Sequence, residues 1–376
     1  MAALFEKTSI KSLELENRSV RSATWSAVGD RKGLVTDRAL EIYGRLADGG
    51  VGLIVTGFQY VMANGIAMPY QMGNYSDDCL EGLSRLVAAI HSRGGKVVAQ
   101  LVHTGSKANP KHFFEQGEIW GPSAIPDPLT SSTPKEMTQQ EIHQVVEAYA
   151  AAASRSQKAG FDGIQLHGAH GYGINQFLSP AMNRRSDGYG GDVNRRYRFL
   201  GEVMEAVKGA VGKEYPVFIK LSAHDYVDGG FTPGDSLAVA RRLVEDGIDC
   251  IEVSAGSRAS VNGMIPSRKN VLKEEDEAYL APLAARFKET VNVPIVTVGG
   301  LRSPAVVSKV LSDGLADYVA LCRPLIREPG LINRWKGGDL EKATCISCNG
   351  CFETGLDGQG VCCKLDKERE EKGRAS

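Results

Sequence analysis

Eight short apolar segments, rich in β-branched residues, alternate along the chain with longer amphipathic segments. Their apolar residues follow one another without strict alternation, which is typical of strands buried on both faces of a parallel sheet. Eight strand–helix units in series favour a single (β/α)8 TIM barrel over an open doubly wound sheet. The predicted strands cover residues 19–25, 51–58, 96–102, 163–168, 217–223, 250–256, 295–300 and 317–323.

The segments between the predicted strands carry helix signals. Thr138 and Glu141 form the pattern of a capping box in front of an apolar-periodic segment that ends at Gly160. Ser303 precedes Pro304, the order expected of an N-cap residue followed by proline at the first helical position. The sequence therefore predicts that helices surround the barrel.

Two regions depart from this alternation. Residues 103–137 follow the third predicted strand, and their prolines predict a long structured loop at the barrel mouth. Residues 336–376 hold five of the eight cysteines. We predict one (β/α)8 barrel domain over residues 1–335, and a cysteine-rich C-terminal extension over 336–376 that is not an independent domain. The prolines of the loop are Pro110, Pro122, Pro126, Pro128 and Pro134.

The charge balance and the apolar segments argue against two kinds of partner. With 44 basic and 45 acidic residues the net charge is −1, so no basic surplus is present to neutralise a nucleic-acid backbone. The start, MAALFEKTSI, lacks the apolar core of a secretory signal, and no later segment resembles a membrane span. We expect a cytoplasmic protein with neither a nucleic-acid nor a membrane partner. The sequence is compatible with a homo-oligomer.

The ends of the last two predicted strands suggest a phosphate site. Gly299 and Gly300 end the seventh strand, and Arg323 ends the eighth. The loops after strands seven and eight commonly bind phosphate in such barrels, and backbone N–H groups with a guanidinium suit a phosphate monoester. A helix-packing turn explains the two glycines about as well. No carboxylate ends the predicted strands, which disfavours paired-carboxylate chemistry and magnesium binding.

The segment QLHGAHGYGINQFLSP, residues 165–180, places two imidazoles and a phenol within six residues. His167, His170 and Tyr172 follow the fourth predicted strand, at the end where the active sites of these barrels lie. Two histidines at this spacing would also suit zinc, although no obvious third ligand stands nearby. Tyr172 has packing as its alternative role.

The long segment HGAHGYGINQFLSPAMNRRSDGYGGDVNRRYRF resembles the signature of the old yellow enzyme family, FMN-dependent NAD(P)H:flavin oxidoreductases. The segments NRSVRSATW, VVAQLVHTG, FIKLSAHDY and VGGLRSP…ADYVALCRP are also similar to that family. The resemblance covers roughly residues 3–335. It implies a (β/α)8 barrel, which the strand pattern predicts independently.

The resemblance implies how the chain would hold FMN. Gln100 would present its amide to the pyrimidine edge of the flavin. Lys220 would place a cation near flavin N1 and O2, where positive charge stabilises the reduced ring. Trp25 stands where several relatives have a threonine or cysteine, so the corresponding hydrogen bond to the flavin is expected to be absent or made by the main chain. The remaining residues implied to contact the flavin or its phosphate are Ala23, Thr24, Gly57, Gly299, Gly300, Cys322 and Arg323.

The resemblance also assigns the catalytic residues. His167 and His170 would hydrogen-bond the carbonyl oxygen of an enone or enoate and stabilise the developing enolate. Flavin N5 would give hydride to the β-carbon, and Tyr172 would protonate the α-carbon. NAD(P)H would first reduce the flavin in the same cleft, which predicts ping-pong kinetics.

Three other functions remain open from the residues. A flavin-dependent amine dehydrogenase or demethylase would take hydride from its substrate instead of giving it. A non-flavin lyase would use Lys220 as a Schiff-base amine. A third reading is a barrel that binds a phosphorylated ligand without catalysis.

The cysteines of the extension have spacing similar to an iron–sulfur segment. Cys345, Cys348, Cys351 and Cys362 resemble the segment found in 2,4-dienoyl-CoA reductase and trimethylamine dehydrogenase, with one residue fewer between the second and third cysteines. A [4Fe–4S] cluster, a zinc ion bound by four thiolates, and free thiols are the three alternatives.

Overall fold

The strands of this protein lie in one barrel and two small two-stranded sheets. The computed structural model describes residues 1–115, 117–127 and 132–375, so Pro128 lies outside the described residues. The described strands are, in chain order, β1 (Thr8–Ile10), β2 (Leu13–Leu15), β3 (Ser19–Arg21), β4 (Leu53–Val55), β5 (Gln59–Tyr60), β6 (Val97–Val102), β7 (Trp120–Gly121), β8 (Lys135–Glu136), β9 (Gly163–Gly168), β10 (Val217–Ser222), β11 (Cys250–Ser254), β12 (Ile295–Val298) and β13 (Tyr318–Leu321).

Eight of the described strands form a closed parallel barrel. Their order is β3, β4, β6, β9, β10, β11, β12 and β13, and β13 pairs back with β3. Each of them lies within one of the predicted ranges, so the (β/α)8 prediction is confirmed. The short strand β5 adds to β6 outside this cycle.

Helices follow the barrel strands, as the amphipathic segments predict. The capping box of Thr138 and Glu141 is confirmed at the start of the helix Gln139–Lys158. Ser303 is confirmed as the N-cap residue before Pro304, although its hydroxyl donates to Glu277 and makes no side-chain cap hydrogen bond. No helix of the described residues is long and apolar enough to cross a membrane. The helices are α1 (Asp37–Asp48), α2 (Leu80–His91), α3 (Gln139–Lys158), α4 (Gly173–Leu178), α5 (Val193–Val211), α6 (Pro233–Glu245), α7 (Ala281–Thr290), α8 (Pro304–Ser312), α9 (Arg323–Arg327), α10 (Leu331–Lys336), α11 (Cys351–Thr354) and α12 (Lys364–Ala375).

The amino end of the barrel is closed by the hairpin of β1 and β2. Ile10, Leu13 and Leu15 are buried and join the apolar cluster that fills the barrel interior with Val20 and Phe218. Apolar side chains fill the amino end of the barrel interior. Polar side chains that point into the barrel therefore lie towards the carboxyl ends of the strands.

The cysteine-rich extension lies against the carboxyl end of the barrel. The Phe352 ring stacks on the Trp25 ring with centroids 6.4 Å apart. The Val361 backbone N–H donates to the Ser26 carbonyl, and Arg327 pairs with the Asp366 carboxylate at 2.9 Å. The extension therefore borders the predicted flavin site.

Candidate active site

The three rings predicted from the sequence meet at the end of β9. The His167 ring centroid lies 5.1 Å from that of His170 and 5.0 Å from that of Tyr172. Phe58 packs beside them, with its centroid 5.5 Å from the Tyr172 ring. The structure thus brings two imidazoles and a phenol to one face of the mouth, as the segment around His167 predicts.

Both imidazoles are neutral at physiological pH. Burial lowers the pKa of His167 well below its usual value, and the charges of His170, Lys220 and Lys107 lower it further. Burial and the two lysines act in the same way on the pKa of His170. A neutral imidazole donates from one nitrogen only, so the tautomer decides what each ring offers to a ligand.

The two histidines differ in which nitrogen is free. The Nδ1 of His167 accepts from the Ala169 backbone N–H at 3.4 Å, which places the proton of the neutral ring on Nε2. The Nε2 of His170 lies 2.7 Å from the Ser254 hydroxyl oxygen. His167 is therefore the ring whose donating nitrogen is left for a ligand, while His170 shares its Nε2 with Ser254.

The backbone of His170 is held in an unusual conformation. Its φ of +63° lies in the left-handed region, which a side chain with a Cβ adopts only when contacts hold it there. Lys107 Nζ donates to the His170 carbonyl at 2.7 Å, and the next residue, Gly171, donates its N–H to Asn175 at 2.6 Å. These bonds set the direction of the imidazole.

Tyr172 is protonated over the whole physiological range. Burial raises the pKa of its phenol to about 12, although the charge of Arg258 opposes that change. Tyr172 also precedes the first residue of α4. A phenol that keeps its proton beside two imidazoles suits a proton donor to a strongly basic carbon.

A buried ion pair lies on β10 and β11, which follow β9 around the barrel. Lys220 Nζ is 3.0 Å from Glu252 Oε1, and the two side chains are 4% and 1% exposed. Ser22 bridges them, because its hydroxyl accepts from Lys220 at 2.8 Å and donates to Glu252 at 2.6 Å. The predicted cation is present, but it is paired with a carboxylate that the sequence analysis did not assign.

Two amides extend this network across the barrel. Gln165 Nε2 donates to Glu252 Oε2 at 3.0 Å, and Gln100 Nε2 donates to Gln165 Oε1 at 2.7 Å. Gln100 Oε1 is buried and has no hydrogen-bond partner among the described residues. A buried carbonyl oxygen without a donor costs free energy, so it fits the N–H of a bound ring.

The predicted phosphate end is formed by residues after β12 and β13. Gly299 and Gly300 have φ of 127° and 73°, and a Cβ on Gly299 would lie 2.8 Å from the Tyr279 ring. Arg323 Nη1 donates to the Asn349 side chain at 2.6 Å and to the Ser347 carbonyl at 3.1 Å. The guanidinium thus joins this end of the mouth to the extension.

Cys322 sits in a cationic pocket beside Thr24. The Cys322 Sγ lies 2.7 Å from the Thr24 hydroxyl, which also accepts from Arg21 at 3.1 Å. Burial alone would raise the pKa of the Cys322 thiol, but Arg21, Thr24 and Arg323 more than offset burial and lower it. These residues lie at the neighbouring ends of β3 and β13.

The remaining flavin candidates lie near the end of β3. Ala23 packs at the edge of the interior cluster, and a Cβ on Gly57 would lie 2.6 Å from the Thr24 carbonyl. The Trp25 indole donates to the Pro69 carbonyl at 2.9 Å. That bond occupies the only donor of the indole, and the absence of a flavin hydrogen bond from this side chain stays a prediction.

The cysteines of the extension form no disulfide among the described residues. Cys345 is buried and Cys348 is exposed, whereas Cys351 and Cys362 are partly buried. Burial, with the nearby Cys322 and Cys345, raises the pKa of Cys351 to about 12. No three His, Cys, Asp or Glu side chains of the described residues are arranged to hold a metal ion. The cluster or zinc site stays a prediction, which iron and zinc measurements after anaerobic purification test.

Sequence reasoning missed Glu252, Gln165 and Lys107. Glu252 and Gln165 lie inside β11 and β9, within segments whose pattern predicts buried strands. A carboxylate within the apolar segment CIEVS was the available signal, because a buried charge needs a partner. Lys107 lies in the loop after β6 and shows no comparable signal.

Acid is expected to destabilise the fold through its buried histidines. Burial lowers the pKa of His103 to about 4, and those of His167 and His170 are also lowered. Below about pH 6.5 these histidines are protonated in the unfolded chain but stay neutral in the folded protein. The free energy of unfolding therefore falls as pH falls, by about 1.4 kcal/mol per pH unit for each histidine. Urea unfolding between pH 7 and pH 5 measures the slope, which His103→Gln should reduce; an unchanged slope contradicts the assignment.

Comparison with known proteins agrees with this geometry. The profile of the NADH:flavin oxidoreductase / NADH oxidase family matches residues 3–341. An NADPH dehydrogenase from Clostridium acetobutylicum is 39% identical over 327 residues, which are 87% of this chain and 92% of that protein. A solved structure of the old yellow enzyme homologue from Zymomonas mobilis superposes with a TM-score of 0.78 at 26% identity, covering 92% of this chain and 96% of that one.

A further relative is much longer than this chain. An NADH oxidase from Thermoanaerobacter brockii is 37% identical over 353 residues, which are 93% of this chain. Those residues are 53% of that protein, so the chain spans about half of its length.

Proposed function

The chain belongs to the NADH:flavin oxidoreductase / NADH oxidase family, and from that premise we propose that it is an FMN-dependent ene reductase. NAD(P)H would reduce the flavin, and the same cleft would then reduce the C=C bond of an α,β-unsaturated carbonyl compound. The observation that carries the proposal is the meeting of His167, His170 and Tyr172 near Lys220, which lies beside His167 in the neighbouring strand.

The residues at the mouth fit FMN. Gln100 Oε1 lacks a donor within the described chain, and the pyrimidine edge of a flavin carries one. Gly300 and Arg323 would hold the phosphate, in the position where such barrels commonly bind one. FMN, when bound, supplies the hydride.

The side chains at the barrel mouth bind the substrate, stabilise developing charge and donate the proton. His167 donates from Nε2 to the substrate's carbonyl oxygen and stabilises negative charge as it develops there. His170 adds a second donor when its Nε2 turns from Ser254 to the substrate. Tyr172 protonates the α-carbon, and the Lys220 ammonium stabilises negative charge on the reduced cofactor.

Two of the alternatives fit the site less well. A Schiff-base lyase needs Lys220 as a free amine, but its Nζ is ion-paired with Glu252 and hydrogen-bonded to Ser22. An amine dehydrogenase would place its substrate nitrogen where the neutral His167 offers an N–H donor. A carbonyl oxygen accepts that hydrogen bond more readily than a protonated amine, which favours ene reduction.

Anaerobic purification followed by a substrate screen tests the proposal. We expect a yellow protein with one FMN per chain, bleached by NADH or NADPH and recoloured by an enone or enoate but not by a simple amine. A colourless, fully folded protein that does not take up FMN would reject it. A flavoprotein that is bleached by amines instead would favour the amine dehydrogenase.

Replacing Tyr172 with phenylalanine is expected to slow recolouring by an enone about 100-fold, because the proton donor is lost. Bleaching by NAD(P)H needs no proton from the phenol and should keep its rate. Stopped-flow absorbance of the two half-reactions measures both. Equal rates of recolouring in the variant and the wild type would show that a group other than Tyr172 donates the proton.

A further inference from the structure

A hydrogen-bonded series of side chains links Lys220 to Gln100, two residues proposed to hold the flavin. Lys220 Nζ is ion-paired with Glu252 Oε1 at 3.0 Å and donates to the Ser22 hydroxyl, which in turn donates to Glu252 Oε1. Gln165 donates to Glu252 Oε2 at 3.0 Å, and Gln100 donates to Gln165 at 2.7 Å. All five residues are buried, at 6% exposure or less.

The Glu252 carboxylate determines which group donates and which accepts in each hydrogen bond between Glu252 and Gln100. An ionised Glu252 only accepts, so Gln165 must turn its NH2 group towards it. The carbonyl oxygen of Gln165 then faces Gln100, so Gln100 must donate to it from its own NH2 group. Gln100 is left with its oxygen unpaired, as the structure shows. One charged group therefore determines which end of a distant amide is exposed to a ligand.

We propose that Glu252 is a positioning residue that, through Gln165, orients the Gln100 amide so that its oxygen selects a ligand edge carrying a hydrogen-bond donor. This inference rests on the proposed function, in which that ligand is FMN. The matching group is then the N3–H of the flavin pyrimidine ring. Glu252 touches neither the flavin nor the substrate in this assignment, and it acts only through Gln165 and Lys220.

The substitution Glu252→Gln should reverse the direction of the hydrogen bonds that run from residue 252 through Gln165 to Gln100. Lys220 and Ser22 would still draw an oxygen to the Oε1 position, which leaves the new NH2 group facing Gln165. Gln165 would then present its oxygen to residue 252 and its NH2 group to Gln100. Gln100 would accept that bond and expose its own NH2 group, which opposes the flavin N3–H.

Affinity for two flavins reports this orientation. The purified holoprotein is stripped of flavin, and the dissociation constants of FMN and 3-methyl-FMN are measured by fluorescence quenching. The wild type should prefer FMN by about tenfold or more, since 3-methyl-FMN lacks the donor and leaves the Gln100 oxygen unpaired. In Glu252→Gln this preference should fall about tenfold. A ratio equal to that of the wild type would overturn the proposal.

A second variant separates orientation from charge. Gln165→Leu keeps the Lys220–Glu252 pair but frees the Gln100 amide to turn, so the preference should fall here too. The pH at which the bound flavin loses its N3 proton, followed by absorbance, should also fall in this variant. It decides the question if Glu252→Gln fails to fold, and a preference unchanged in Gln165→Leu overturns the proposal.

Glu277→Gln is the matched control. Glu277 is a buried carboxylate that accepts from the N–H groups of Arg302 and Ser303, outside the hydrogen-bonded series to Gln100. It should leave the ratio of the two affinities unchanged, and a fall in this control as well overturns the specific role of Glu252. A wild type that binds neither flavin rejects the proposed function itself, whereas one that binds FMN with a ratio unaffected by Glu252 and Gln165 rejects only the orientation.

Discussion

Replacing Lys220 with methionine is expected to lower the flavin reduction potential and to destabilise the protein by about 3–5 kcal/mol. The ammonium lies 3.0 Å from Glu252, and both side chains are almost fully buried. Methionine leaves the carboxylate without its counter-charge in a medium that solvates it poorly. The negative charge that remains also disfavours a reduced flavin nearby.

The double variant Lys220→Met/Glu252→Gln provides the control. It removes both charges, so most of the lost stability should return, because a buried pair replaced by neutral groups is often tolerated. Urea unfolding of the apoproteins gives the free energies, and dye-equilibrated photoreduction of the holoproteins gives the potentials. A single variant as stable as the wild type would show that solvent reaches Glu252. An unchanged potential would place Lys220 away from the flavin.

The barrel was predictable because its signal is repeated along the chain. Continuous apolar runs such as GIQLHG and VFIKLS have the composition of doubly buried strands, and each lies where the structure has β9 or β10. Strand ends were harder to predict. The prediction extends the first barrel strand to Trp25, whereas β3 ends at Arg21.

The site residues were predictable where they lie in one short segment of the sequence. Contacts between residues from distant segments were not predictable. His167, His170 and Tyr172 lie within six residues, so their meeting follows from the local chain. The pairing of Glu252 with Lys220 depends on the register of β10 against β11, where the two residues lie side by side. The contacts of Arg323 with Ser347 and Asn349 depend on where the extension packs. Composition and spacing do not encode either.

Replacing His167 with alanine is expected to weaken the binding of phenolate ligands about 100-fold while FMN stays bound. A phenolate stacked on the flavin resembles the enolate of the reaction, and its oxygen would accept from the free Nε2–H of His167. The loss of one donor to such an oxyanion typically costs a factor of 10²–10³ in rate. His170→Ala should cost less, because His170 Nε2 is shared with Ser254 in the unliganded site.

The charge-transfer absorbance of bound phenols measures these affinities directly. His103→Ala is the matched control, since His103 is also a buried imidazole with a lowered pKa, but its ring nitrogens bond Gly105 and Asn64. It should leave phenolate binding unchanged. Because both site histidines are neutral, affinity between pH 6 and 9 should follow the ionisation of the phenol alone. An additional histidine titration in that range, or equal losses in the His103 and His167 variants, would contradict the assignment of His167 as the donor.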